Sequence, residues 1–159
     1  MTAIHLATPD DVPELLPLVE RYWKFEGLRH FSNERIEKLL REAVANPNRT
    51  ACWLAIRDRK VLGYLLVVFV FSLEHGGMMA EIDEFYVEPD TRSKGIGSEL
   101  LRVAERVLGR AGYLRLQMQI GVDNERGRAF YQRQGFTRRA GFELWDKPLA
   151  TGGGIPRSV

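Results

Sequence analysis

The chain has 159 residues, enough for one compact domain with a single sizeable core. Hydrophobic residues make up 45% and charged residues 28%, which excludes a disordered or fibrous chain. The 23 basic and 21 acidic residues leave a net charge of only +2. That carries no nucleic-acid footprint, although a small basic excess also suits a polyanionic small ligand.

Residues 2–7 read as a short strand. Thr8-Pro9-Asp10-Asp11 then signals a helix start: a hydroxyl to cap, proline in the first turn, acids at the positive end of the dipole. Val12, Leu15, Leu16, Val19 and Trp23 follow at helical spacing, with a kink or delayed start expected at Pro17. Ser32 is placed to cap a second helix carrying Ile36, Leu39, Leu40 and Val44, ended by Asn46-Pro47.

Thr50–Arg57 and Val61–Leu73 read as strands joined by a tight turn at Asp58-Arg59-Lys60. The second is apolar on both faces, as a central strand buried on both sides should be, and too short to span a bilayer as a helix. Cys52, the only cysteine, forms no intrachain disulfide and reads as a small buried hydrophobe. With no signal peptide evident at the N-terminus, the expected location is cytoplasmic. His75-Gly76-Gly77 breaks the apolar run, and residues 80–88 form another strand closed by Pro89-Asp90.

Gly95–Arg110 is a helix with Ile96, Leu100, Ala104 and Val107 on its apolar face, ended near Gly112. Tyr113–Ile120 alternates like a strand. A helix from about Asn124 to Gln134 stops at Gly135, and Phe136 begins a last strand region reaching Leu149. Thr151–Val159, with three consecutive glycines, is expected to be a flexible tail. The order β-αα-β-β-β-α-β-α-β indicates one α/β sandwich domain over 1–150 with a mostly antiparallel sheet.

Arg92-Ser93-Lys94-Gly95-Ile96-Gly97-Ser98, between a strand and a helix, has the composition of a phosphate-binding turn. Backbone N–H groups at a helix start converge on an anion, and glycines at 95 and 97 let the main chain come close. Leu100 stands where a Rossmann turn needs its third glycine, and Gly97-Ser98-Glu99 lacks the lysine of a Walker loop.

Phe85-Tyr86-Val87-Glu88-Pro89 followed by Arg92-Ser93-Lys94-Gly95-Ile96-Gly97 resembles the acetyl-CoA motif of the GNAT acetyltransferases, Arg/Gln-x-x-Gly-x-Gly/Ala. Asn124, Ala129, Phe130, Tyr131, Gly135 and Phe136 resemble that family's second pattern, an Asn and an Ala ahead of Tyr-x-x-x-Gly-Phe, with Phe130 directly before the tyrosine. Ser93 departs from it, the family often having glycine there. The resemblance implies a GNAT-type α/β sandwich with a mixed sheet split between strands 4 and 5 and helices on both faces. It also implies acetyl-CoA as cosubstrate. The amides of Ser93, Lys94, Gly95, Ile96, Gly97 and Ser98 would take the pyrophosphate, with Arg92 at the rim. Phe85, Tyr86 and Val87 would line the pantetheine path, Phe85 and Val87 pairing through their backbones. Asn124 would hydrogen-bond pantetheine, or simply cap its helix. Tyr131 would protonate the departing CoA thiolate.

By position in the motif, Glu81 matches the general base of histone-acetylating members, whereas Asp83 and Glu84 match substrate-contacting acids of polyamine-acetylating members. Strict alternation sets Glu81 and Asp83 on one face and Glu84 on the other, but the family's strand often carries a β-bulge, which would change that register and leaves the faces unassigned. Trp23, Phe25 and Phe31, with Tyr22 and His30, cluster where the family's acceptor pocket lies. Three scattered histidines and one cysteine make no metal site. The implied enzyme is an N-acetyltransferase using direct transfer to a primary amine, the acids favouring a small cationic one. A protein lysine or N-terminus, a longer acyl group, and a non-catalytic acyl-CoA-binding module remain alternatives. Members are often homodimers, which no residue pattern here requires.

Overall fold

The computed structural model describes residues 2–28 and 31–149. His30 and the tail from Thr151 lie outside the described residues. The described chain divides into two units, one ending at Gly121 and the other beginning at Val122.

The first unit is built on a five-stranded sheet in sequence order: β1 (Ala3–Leu6), β2 (Thr50–Arg57), β3 (Lys60–Ser72), β4 (Gly77–Val87) and β5 (Leu116–Met118). The first four are antiparallel and β5 runs parallel to β4. The β2–β3 turn is one residue tighter than the sequence suggests. Arg57 pairs with Lys60, and Asp58 and Arg59 alone make the bend, both in left-handed backbone with φ of 51° and 61°. That matches the right-handed twist of the flanking strands, at the cost of two side-chain-bearing residues in a region that suits glycine or asparagine.

Alternate residues of β3 face opposite layers. One face carries Cys52, Leu54, Tyr64 and Leu66 into a core with Val12, Leu15 and Val19 of α1 (Val12–Glu26) and Ile36 and Leu40 of α2 (Asn33–Val44). The other face, with Trp53, Leu65 and Val67, is covered by α3 (Ile96–Arg110), whose Leu100, Leu101 and Ala104 are fully buried. Helices thus lie on both faces. A short 3-10 turn at Pro9–Asp11 leads into α1, and the Thr8 amide and hydroxyl both donate to the Asp11 carboxylate, at 2.8 and 2.9 Å. The helix starts at Val12 and continues through Pro17, so the delayed start does not occur. Ser32 caps α2 as expected, accepting from the Arg35 amide at 3.3 Å.

Two strand expectations change. The Tyr113–Ile120 strand contracts to Leu116–Met118, although Leu114 N–H still donates to the Met78 carbonyl at 2.9 Å. The last strand is absent: residues 137–149 have no assigned strand, and Phe142, Leu144 and Trp145 are exposed. Alternating apolar residues supply strand propensity, but a strand also needs a partner edge. In the second unit α4 (Glu125–Arg133) is capped by Asn124, whose Oδ1 accepts from the Gly127 amide at 2.9 Å. Gly135, with φ of 88°, ends it.

Candidate active site

The site is organised by an irregularity in β4. Leu66 pairs with Glu84 but Val67 pairs with Ile82, so Asp83 is the extra residue of a β-bulge. Since paired residues share a face, the bulge brings Glu81 and Glu84 to the same face, with Tyr64 and Tyr86. Asp83 is exposed. The arrangement read from strict alternation is thereby reversed.

Glu84 is half-buried and its carboxylate is held at both oxygens. Tyr64, fully buried, donates its hydroxyl to Oε2 at 2.7 Å, and the Trp23 indole N–H donates to Oε1. Desolvation raises the Glu84 pKa and is the largest effect; the Tyr64 and Trp23 hydrogen bonds oppose it, and the charge of Asp83 adds to it. Asp83 is also raised, first by desolvation and then by Glu81, although the residue as a whole is exposed. Burial pushes Tyr64 well above its usual value, reinforced by the charge of Glu84. Tyr22 is pushed up to about 12, by burial first and then by Glu26, Glu84 and Asp83. Glu81 is tied to β5: Gln117 donates to its Oε2 at 2.8 Å and Gln119 to its Oε1 at 3.4 Å.

Three successive residues of α1 meet every second residue from Glu84 in β4 to Glu88 just past its end. Trp23 reaches Glu84, the Tyr22 ring lies 5.7 Å from that of Tyr86, and Arg21 forms an ion pair with Glu88. Phe31 packs edge-on against Trp23 at 5.7 Å. Phe25 instead meets Arg92, whose guanidinium carbon is 5.6 Å from the ring centroids of both Phe25 and Tyr86.

The β4–β5 ladder pairs Ala80 to Ile82 with Leu116 to Met118 and stops there, while β4 continues to Val87. This is the split expected between strands 4 and 5. β4 then leads through a 3-10 turn at Pro89–Thr91 to Arg92, which donates from Nε to the Val87 carbonyl at 2.8 Å. Ser93 and Gly95 are left-handed, with φ of 64° and 80°. The first explains why a glycine suits position 93. Gly95 caps α3 with no side chain, a Cβ there would meet nothing within 4 Å, and the first helical bond runs from Glu99 N–H to the Gly95 carbonyl. The amides of Ile96 and Gly97 therefore open the helix with no intrahelical acceptor, beside the cations of Arg92 and Lys94. This donor set fits a diphosphate.

In the second unit, Tyr131 stacks edge-on against Phe130 and Phe136 at 5.2 and 5.4 Å. Cys52 is buried and its thiol is driven upward by burial, which disfavours the reactive thiolate. A separate cleft of about 390 Å³ lies between α2 and β3, floored by Leu39, Ala43, Val68 and Phe69, and none of the sequence-predicted site residues lines it. Among the described residues no cluster of His, Cys, Asp and Glu could hold a metal, and no helix is long and apolar enough to cross a membrane. Sequence reasoning missed Tyr64, Arg21 and Gln117. Tyr64 left one signal, a phenol inside an otherwise apolar central strand, where a buried hydroxyl needs a partner.

Residues 12–136 match the model of the family described as "Acetyltransferase (GNAT) family". The aminoalkylphosphonate N-acetyltransferase of Salmonella typhimurium strain LT2 is 32% identical over 83 residues, 52% of this chain and 54% of that protein. The chain thus matches about half the length of that relative. The spermidine N(1)-acetyltransferase of Thermoplasma acidophilum is 27% identical over 139 residues, covering 80% of this chain and 83% of that one. A solved predicted acetyltransferase with acetyl-CoA from Clostridium acetobutylicum superimposes with a TM-score of 0.76 at 18% identity, covering 92% and 96% of the two chains.

Proposed function

We propose that this chain, which belongs to the GNAT family of acetyltransferases, is an acetyl-CoA-dependent N-acetyltransferase acting on a small cationic primary amine. The observation that carries the reading is Glu84: a half-buried carboxylate of raised pKa, held by Tyr64 and Trp23, on the strand that outruns β5 and leads into the diphosphate-fitting turn. The spermidine and aminoalkylphosphonate enzymes, both acting on amines, support it.

Acetyl-CoA, when bound, supplies the acetyl thioester. The amides of residues 93–98, with Arg92 and Lys94, bind its diphosphate, and the backbones of Phe85 and Val87 with Asn124 hold pantetheine. An alkylammonium of pKa near ~10.4 must lose a proton first, which costs about 4–5 kcal/mol at neutral pH. Asp83 attracts the ammonium and Glu84 accepts that proton on a carboxylate oxygen. The amine nitrogen then bonds to the thioester carbonyl carbon as the C–S bond breaks. Tyr131 gives its phenolic proton to the departing sulfur and regains one from the second proton the nitrogen releases. Glu81, anchored by two glutamine amides, is the alternative base. Trp23 and Phe31 wall the amine. Residues 1–150 act as one domain in the cytoplasm.

The test is thiol release from acetyl-CoA against spermidine, an aminoalkylphosphonate, an aminoglycoside and a lysine peptide, with quenching of tryptophan fluorescence by CoA as the binding control. Turnover of one of the small amines is expected. Turnover of the peptide alone would redirect the acceptor, and binding without turnover on any amine would make the chain a binding module.

A further inference from the structure

Phe25 is 70% exposed in the last turn of α1, on the helix that meets the acid-bearing face of β4. Its ring nevertheless engages the other half of the site. Arg92 is fixed at three points: the face of Phe25, the face of Tyr86, and the Val87 carbonyl. Two of these belong to β4 and one to α1. The next residue is Ser93, held in left-handed backbone that a serine does not favour, so the turn depends on its flanks to keep its shape. Upstream, the same stretch is pinned again by the Arg21–Glu88 ion pair and by the Tyr86 hydroxyl donating to Glu88 at 3.3 Å.

We propose that Phe25 and Arg92 form a brace between the end of α1 and the diphosphate-binding turn, making Phe25 a positioning residue for nucleotide binding. This rests on the acetyl-CoA reading. A planar guanidinium stacks on two rings as an ammonium cannot, so Arg92 enters the turn already oriented. Without the Phe25 face, residues 92–95 lose part of that order and must regain it when the nucleotide binds. Since Phe25 lies on the helix that carries Trp23, the brace also joins the amine side to the cofactor side, and any coupling between the two ligands acts in both directions.

The test is calorimetric titration of the full chain with CoA and with pantetheine, which lacks the nucleotide diphosphate. Phe25→Ala should weaken CoA by about two- to fivefold, the scale of one exposed cation–π contact, and leave pantetheine unchanged. Phe25→Trp should restore CoA affinity. Phe71→Ala removes a similarly exposed phenylalanine, 66% accessible on β3, and should leave both ligands as in the parent chain. Unchanged CoA affinity in Phe25→Ala, or an equal loss for both ligands, would overturn the brace while leaving the acetyl-CoA reading intact. No CoA binding by the parent chain would overturn both.

Discussion

Burial lifts the Glu84 carboxyl while Tyr64 and Trp23 hold it down, and these opposed effects decide what substitutions there should do. Tyr64→Phe removes a donor that favours the charged form, so Glu84 should titrate at higher pH. The acid limb of kcat/KM for the amine should move up accordingly. A limb left in place, in a variant that still folds, would remove Glu84 as the base. Stability should respond in the opposite sense to activity. A carboxyl whose folded pKa lies above its unfolded value favours the folded state at low pH and loses that contribution as pH rises through the raised value. Glu84→Gln should therefore melt above the parent at neutral pH, with the gap closing as pH falls into the ordinary carboxylate range. Its kcat/KM should fall by about 10²-fold or more. Melting curves and rates on the same two proteins check both. The acids themselves were legible from the sequence, but their shared face was not. A bulge adds one residue without a compositional mark; the family resemblance allowed for one, and the pairing of Leu66 with Glu84 and Val67 with Ile82 places it at Asp83.

Among the elements, the C-terminal half of β4 depends on a close approach from β3. A Cβ at Gly63 would stand 2.8 Å from the Tyr86 carbonyl oxygen and 3.2 Å from the Val87 Cα. Backbone cannot yield as a side chain does, so Gly63→Ala should cost about 1–3 kcal/mol, seen as a lower Tm, and weaken CoA by displacing Val87. The β2–β3 turn offers the reverse case. Arg59→Gly replaces a left-handed arginine with the residue that conformation suits, and should raise Tm by about 2–4 °C. No change in Tm would mean that the turn stores no strain. Periodicity and caps made α1, α2, α3 and α4 readable, down to Ser32 and Asn124 as capping residues. The expected strand after Phe136 failed for a physical reason. Side-chain alternation in Phe142 and Leu144 describes one chain, whereas a strand is a property of two.

For the molecule as a whole, a ligand that binds only the folded state adds stability by mass action. CoA at about 100 times its Kd should contribute about 2.7 kcal/mol and raise Tm by roughly 5–10 °C. Pantetheine at equal concentration should raise it less, because it leaves the turn at Ser93 to Gly97 without its anion. The order of elements along the chain and the turn before α3 were legible in local pattern, whereas the split sheet and its two helical layers were implied only by the family resemblance. The partners of Glu84 and Arg92 were not, since they join positions far apart in the chain through a register that local pattern does not encode.

The stepwise contacts of Arg21, Tyr22 and Trp23 with Glu88, Tyr86 and Glu84 have a consequence for how this fold can diverge. Helix residues advance by about 1.5 Å and turn by about 100° each, while alternate strand residues advance by about 6.6 Å, so the three contacts fan out over about 200° of the helix and depend on one helical phase. Inserting or removing one residue before Arg21 would rotate the whole set by about 100° and break all of them together. Exchanging side chains at these three positions keeps that phase, whereas a change of length within α1 before Arg21 does not.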